Sequence, residues 1–398
     1  MHADNWHMVA VALEPSPSTR PAPTVRAESR VAYIDGLRAV AVLGVVLAHA
    51  VRASGYLEAA GPLMTLRRPM TLLNLGTHGV DLFFVLSGFC LSYPTLAKLA
   101  RQRTVDFDVT GYIARRLVRI VPPFLCSILL LAAIERYLGF MLPSAPNLLK
   151  QALFLDLNTQ FINGSFWTLA VEARWYVLLP LALLLWSRNV RLFWFAFATV
   201  VVAGRFTMAS SLDMLMLPGF LLGIAAAQVA VDGRRVRLWA FAGLAATIAL
   251  ALPISLSQVP GVWPIVGTNA IATIDRASLL WEVAAFCFIL LAVSSRRLRA
   301  MLGLGPIAFI GAASYSIYLV HQPATMLAAG AVRSGVSQPE LFAVCLAVSL
   351  AGGIAFWAVF ERPIVHGQAR SQLVRYLTAV FDRAAAQLQS ATAFRLHR

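Results

Sequence analysis

Apolar residues run along this chain in blocks of about membrane length, separated by short stretches rich in arginine, proline and glycine. The blocks fall at roughly 37–53, 79–97, 120–139, 165–186, 192–207, 212–231, 238–256, 278–294, 305–329 and 340–360. Each is close to the ~20 residues that a bilayer core requires. The pattern therefore predicts an all-α, polytopic integral membrane protein with about ten transmembrane helices. A shorter run, QALFLDLN at 151–158, cannot cross and fits an interfacial segment.

The two ends differ from this pattern. Residues 1–30 are rich in proline, serine and threonine and carry no apolar core, so they read as a disordered cytoplasmic tail. After Pro363 the segment RSQLVRYLTAVFDRAAAQLQ spaces Leu373, Leu377, Val380 and Phe381 at helical intervals, with arginines between them. Residues 364–398 are thus expected to form a cytoplasmic amphipathic helix lying on the membrane.

Polar residues inside the apolar blocks change the picture most. Arg38 and His49 stand eleven positions apart in LRAVAVLGVVLAHA, almost three helical turns, so they share one helix face. At ~1.5 Å per residue His49 lies about 16 Å deeper than Arg38. Ionisable groups at such depth are costly and mark function by default. Asp35, three residues before Arg38, can pair with it at the helix entry. The second block opens with THGVDLFFVLSGF, placing His78 and Asp81 near its outer end and Ser87-Gly88 where a neighbouring backbone can approach closely. The fourth, SFWTLAVEARWYVLLP, carries Glu172 with Tyr176 on the same face, while Arg174 points elsewhere. The ninth, SYSIYLVHQP, stacks Ser314, Tyr318 and His321 along one side. Hydrogen bonding between helices accounts for such a stripe as readily as chemistry does. The loop YIARRLVRIVPP packs Arg115, Arg116 and Arg119 within five residues, either as a solvated cytoplasmic cluster or as a cradle for an anion.

Composition agrees with a membrane protein: 59% of the residues are hydrophobic and 13% charged, against about 25% charged in soluble domains. The net charge of +15 would suggest nucleic acid, but its distribution gives topology instead. With the amino terminus inside, 23 of the 33 lysines and arginines fall in cytoplasmic segments and 8 on the opposite side, Arg38 and Arg174 lying within spans. That bias is the positive-inside signal, and an even number of spans puts both termini in the cytoplasm. No nucleic-acid partner is expected. Cys90, Cys126, Cys287 and Cys345 all lie in apolar runs with no metal or disulfide spacing and read as inert buried thiols.

No P-loop, dinucleotide fingerprint, zinc-protease helix or serine-hydrolase elbow occurs in these segments, so ATP-driven transport, dinucleotide redox chemistry and zinc hydrolysis lack support. What remains is a buried histidine, a carboxylate, several hydroxyls and a basic loop. Taken in order, YIDGLRAVAVLGVVLAHA with its R-x10-H, FFVLSGF (83–89), RRLVRIVPP (115–123), FWTLAVEARWYVLLP (166–180), SYSIYLVH (314–321) and FERP (360–363) resemble membrane acyltransferase family 3. Any one motif is weak; six in the family's order are specific, and they span nearly the whole apolar region. The fourth motif departs from the family's pattern, since Ala173, Arg174 and Trp175 replace the usual second acid and the residues before the tyrosine.

The resemblance implies a transmembrane acyltransferase domain over 31–363. It implies transfer of an acyl group, commonly acetyl, from acyl-CoA to a hydroxyl of a carbohydrate, cell-envelope glycan or natural product, in the cytoplasmic membrane. Hydroxyls are poor nucleophiles near neutral pH and need a base. His49 is the expected base, or a transient acyl carrier, with Glu172 managing its tautomer or proton. Arg38, Arg115, Arg116 and Arg119 are expected to hold the donor's phosphates. Asp35, Asp81, Ser87, Tyr176, Ser314, Tyr318 and His321 form the supporting polar set. No metal or bound cofactor is expected; acyl-CoA enters as a substrate, and the lipid bilayer is the other partner. A proton-coupled transporter or flippase using the same histidine and glutamate is the alternative from another class, although the paired broken helices and inverted repeats of such proteins are not evident.

Overall fold

A computed structural model describes residues 25–56, 69–102, 107–139, 141–155, 163–206, 212–257, 270–332, 335–367 and 369–396. Among them all regular structure is helical. In chain order the helices are α1 (Val25–Ala53), a 3-10 stretch Pro69–His78, α2 (Gly79–Gln102), α3 (Val109–Tyr137), α4 (Ala145–Ala152), a 3-10 turn Gly164–Phe166 and α5 (Trp167–Arg188). Then come α6 (Val190–Phe206), α7 (Leu212–Asp232), α8 (Arg237–Ser257), α9 (Ala270–Ser294), α10 (Arg296–Leu302), α11 (Gly305–Ala312), α12 (Ser314–Val332) and α13 (Gln338–Phe356). A π-helical turn Trp357–Glu361, α14 (Arg362–His366) and α15 (Ala369–Leu396) close the chain.

Seven of the predicted spans coincide with stretches long and apolar enough to cross a membrane: Ala32–Ala53, Leu72–Arg101, Val109–Tyr137, Gly164–Arg188, Arg237–Ser255, Ala277–Ser294 and Gln338–Val365. The other three take different forms. The blocks at 192–207 and 212–231 give the shorter apolar helices Val190–Val202 and Met216–Asp232. The block at 305–329 is broken at Ala313 into α11 and α12. Residues 1–24 of the predicted amino-terminal tail lie outside the described residues, and α1 begins at Val25, ahead of the predicted boundary at 31. The carboxy-terminal segment is helical, as its spacing predicts, and α15 packs against α3 with Leu377, Val380 and Phe381 half-buried.

Two features fix the bundle around the polar residues. The first is a backbone contact between α2 and α7. A Cβ on Gly88 would collide with the Phe220 carbonyl, and one on Gly223 with the Val85 carbonyl. Glycine at both positions lets the two helices touch main chain to main chain, as the Ser87-Gly88 pair suggested. Phe89, Phe220, Ile224 and Ile289 fill the space beside this seam and are almost wholly buried.

The second is a proline device in α12. Pro323 has no N–H, so the Leu319 carbonyl four residues earlier loses its helical donor. The buried Asn163 side chain donates to that oxygen at 2.7 Å. Asn163 also accepts from the Ser165 amide at 2.9 Å, and the Ser165 hydroxyl donates to Gln322 at 2.8 Å. The turn leading into α5 is thereby clamped to α12, which satisfies a carbonyl that hydrocarbon could not.

Candidate functional site

A cavity of about 110 Å³ opens between α1, α2, α3, α5 and α12. Its polar wall carries Arg38, Arg116, Arg119, Glu172, Tyr176 and Tyr318, with Ser87 and Ser314 beside them. Five segments far apart in sequence thus converge, each carrying a motif singled out above.

The acidic side of the site is built by α5 and α2. Ser87, which precedes the seam glycine, donates to Glu172 Oε1 at 2.5 Å. Tyr176 follows one turn later on the same face of α5 and also lines the cavity. The basic side comes from α1 and α3. Arg38 donates from Nη1 to Asp35 at 2.7 Å, while its Nη2 lies 3.8 Å from Cys90 Sγ on α2. One guanidinium therefore joins two helices and still faces the cavity. Arg116 and Arg119 are three residues apart on α3 and point the same way. Among the described residues neither has an ion-pair partner, and Arg116 Nε lacks any hydrogen bond. Guanidinium groups that line a cavity without an ion-pair partner favour an anion with several acceptor oxygens.

The third basic residue behaves differently. Arg115 is exposed and donates to Asp108 at 3.1 Å, the residue that caps α3 by accepting from the Gly111 amide at 2.8 Å. Arg115 does not line the cavity. The segment read as a loop is helical and forms the first turns of α3, and its arginines are split between a helix cap and the cavity.

His49 and His321 stand behind the cavity wall. Tyr318 lines the cavity, and its hydroxyl meets Thr168 at 2.8 Å and the Ser165 carbonyl at 3.1 Å. Its ring lies 5.3 Å from the His321 ring, which in turn meets His49 edge-on at 4.9 Å. His321 is fully buried; Nδ1 faces the Tyr318 carbonyl at 2.8 Å and Nε2 has no hydrogen-bond partner. Nδ1–H donation to that carbonyl leaves Nε2 as an open acceptor. His49 is half-buried. The structure therefore pairs His49 with His321 and pairs Glu172 with Ser87, not with His49. A row of rings, Tyr318, His321, His49, connects the cavity to the far half of α1.

Asp81 is not in the cavity. It sits with His78, which contacts it at 2.8 Å, and with Ser278 of α9. Other wall residues escaped the sequence reading. Thr168 and Tyr315 lie inside quoted motifs without a stated role; Tyr315 lines the cavity and donates to the Ile120 carbonyl at 2.9 Å. Glu361 of the FERP motif is buried in the π-turn and accepts from Ser316 at 2.5 Å, behind the wall formed by Tyr315. Among the described residues no group of three or more histidine, cysteine, aspartate or glutamate side chains has the arrangement of a metal site.

Comparison with known proteins agrees with this convergence of motifs. The profile of the acyltransferase domain of acyltransferase family 3 matches residues 31–358. The chain belongs to that family. It is similar to the peptidoglycan O-acetyltransferase OatA of Listeria monocytogenes, with 24% identity over 357 residues, covering 79% of this chain and 52% of the relative. It is also similar to the O-acetyltransferase OatA of Staphylococcus aureus, with 29% identity over 171 residues, or 38% of this chain and 24% of the relative. The chain thus spans between a quarter and about half the length of these relatives. No solved structure matches it. Family membership covers all the helices that build the cavity, from α1 to most of α13 and its π-turn.

Proposed function

We propose that this protein is a membrane O-acyltransferase that moves an acyl group, acetyl in the simplest case, from acyl-CoA to a hydroxyl of a carbohydrate or other envelope glycan. The observation carrying the reading is the cavity in which Arg116 and Arg119 face inward, without ion-pair partners among the described residues, beside Arg38 and opposite Glu172. An acyl-CoA offers several phosphate groups for such guanidinium groups and a flexible arm that carries its thioester deeper. The positive-inside bias favours the cytoplasmic side, where acyl-CoA is made, for the arginine end of α1. The O-acetyltransferase names of the relatives favour acetyl as the acyl group and a glycan hydroxyl as the acceptor.

In this reading His49 takes the proton of the acceptor hydroxyl as the oxygen attacks the thioester carbonyl; the C–S bond breaks and coenzyme A leaves as the thiol. Donor and acceptor approach from opposite ends of α1. Tyr318 and His321 lie between them, so transfer requires this row of rings to move aside or to relay the proton.

The test uses membrane vesicles supplied with labelled acetyl-CoA, following label into alkali-labile esters together with released thiol. Ester label accompanied by stoichiometric thiol supports the reading. Substrate that crosses the membrane unmodified, with no thiol released, replaces it with a transporter. Arg116→Gln and Arg119→Gln are each expected to weaken coenzyme A binding about 10-fold or more, the scale of one hydrogen bond to a charged group. Arg115→Gln should leave it near native, because Arg115 faces Asp108 and not the cavity. Binding to detergent-solubilised protein by calorimetry separates the three.

A further inference from the structure

The cluster around Asp81 is built like a catalytic triad. Its members come from three parts of the bundle: His78 and Asp81 from the 3-10 stretch and the start of α2, Ser255 from the end of α8, and Ser278 with Trp281 from α9. His78 Nδ1 meets Asp81 Oδ2 at 2.8 Å, and His78 Nε2 meets Ser255 Oγ at 3.4 Å. Ser278 donates to the other carboxylate oxygen, Asp81 Oδ1, at 2.9 Å. Trp281 Nε1–H donates to Ser255 Oγ at 2.8 Å, and its ring stacks on His78 with centroids 4.6 Å apart and planes 15° apart.

With His78 as the neutral imidazole, these contacts set the direction of each proton. Asp81 accepts, so His78 carries its proton on Nδ1 and leaves Nε2 as the acceptor. Trp281 can only donate, so the Ser255 oxygen receives from it and its own hydrogen is free to point at Nε2. A serine oxygen beside an imidazole whose tautomer a buried carboxylate sets is the arrangement that makes hydroxyl nucleophiles reactive. The stacked indole and the Ser278 bond hold ring and carboxylate in place. A Ser–His separation of 3.4 Å is in the range that unliganded sites show before a substrate tightens it.

The place fits an acyl group in transit. The 3-10 stretch runs antiparallel to α1, with Asn74 accepting from Arg52 at 2.7 Å, Gly76 packed on Gly44 and Gly79 on Ala41, which puts the cluster beside the middle of α1, between Arg38 and His49. It is separate from the cavity, whose wall contains none of these residues. Side-chain exposure is 15% for His78 and 5% for Asp81, and Ser255 is itself only 5% exposed, so the imidazole is the least covered member of the cluster.

We propose that Ser255, His78 and Asp81 form a second acyl-transfer centre acting on short-chain acyl esters or thioesters. Ser255 Oγ attacks the acyl carbonyl and its proton passes to His78 Nε2. The carbonyl bond to the leaving oxygen or sulfur breaks, and the leaving group takes that proton, so that the acyl group is held as a Ser255 ester. An acceptor hydroxyl then gives its proton to His78 and attacks the ester carbonyl; the bond to Ser255 Oγ breaks, and His78 returns the proton to that oxygen. Asp81 is a positioning residue for His78. This centre does not rest on the acyl-CoA reading of the cavity.

The test uses the purified full-length chain in detergent, with a fluorophosphonate probe and with 4-nitrophenyl acetate, neither of which needs coenzyme A. Peptide mapping is expected to find the phosphonate and, after brief exposure to the ester, the acetyl group on Ser255. Ser255→Ala should abolish both while coenzyme A binding stays native, which shows that the fold and the cavity survive. His78→Gln should slow labelling by about 100-fold or more, the scale of a lost general base. Asp81→Asn, which keeps the shape but offers the wrong tautomer partner, should slow it comparably and alter its pH profile. Absence of label in the native protein, label on another residue that persists in Ser255→Ala, or native labelling rates in His78→Gln would each overturn the proposal. Failure of the acetyl-CoA assay together with labelled Ser255 would count against the donor reading alone.

Discussion

His49→Ala is expected to lower acyl transfer by about 100- to 10,000-fold, the range that a general base contributes, while coenzyme A binding stays within error of native. The two halves of that result come from the same geometry. His49 does not line the cavity, so the phosphate contacts proposed for Arg38, Arg116 and Arg119 are untouched by the change. It is half-buried and stands edge-on to His321, so removing its ring takes away a base without leaving a buried charge unpaired. The expected signature is therefore a fall in kcat with an unchanged donor Kd. His49→Gln, which restores a polar group of similar reach but cannot accept and pass on a proton in the same way, should be as inactive as alanine. Single-turnover label transfer alongside equilibrium binding checks both. Native transfer in the alanine variant would take His49 out of the reaction and leave its partner His321, fully buried with an open Nε2, as the base to test next.

Gly88→Leu is expected to abolish the folded protein. The new side chain would drive directly into the Phe220 carbonyl and the main chain of Gly223. A flexible side chain in that position could turn away, but a helix backbone cannot. Overpacking a core against side chains costs about 1–3 kcal/mol, occasionally more; here relief requires α2 and α7 to part along their length. That seam lies against Phe89, Phe220 and Ile289, all essentially buried. Ser87, the next residue, holds Glu172, so any copies that do insert should also lose the acidic side of the cavity. Monodispersity in size-exclusion chromatography and a thermal melt of solubilised protein are the measurements. A native melt would mean that α2 and α7 do not meet as described.

What was legible in the sequence follows from which physical signals are local. The spans at α1, α2, α3, α5, α8, α9 and α13 announce themselves by length and hydropathy, because a bilayer core demands both from each helix separately. Arg38, Glu172 and His321 stand out because each is polar where hydrocarbon is expected. The facing of those residues is a property of their neighbours, and one helix cannot reveal it. Glu172 and His49 are both deep and both titratable, yet Ser87 claims one and His321 the other. Arg115, Arg116 and Arg119 are equivalent in the sequence; the cap residue Asp108 draws the first outward and leaves the others to the cavity. The break at Ala313 is likewise invisible in an apolar run. Ser255 and Trp281 carried no sequence signal, since a serine and a tryptophan near the ends of apolar helices are ordinary. Only the meeting of α8 and α9 with His78 gives them meaning.

The contact between His49 and His321 joins the first helix of the chain to one that is completed 272 residues later. Helices enter the membrane one after another as they are synthesised, and contacts between distant segments wait for the later partner to arrive. Until α12 is made, the nascent protein therefore holds Arg38, Arg116, Arg119 and His49 without the element that completes the wall between them. Tyr318, His321 and the clamp from Asn163 to Leu319 all arrive together with α12. Assembly of the site is thus timed to the synthesis of α12, and a chain that stalls earlier leaves a membrane stub without the last wall of the cavity.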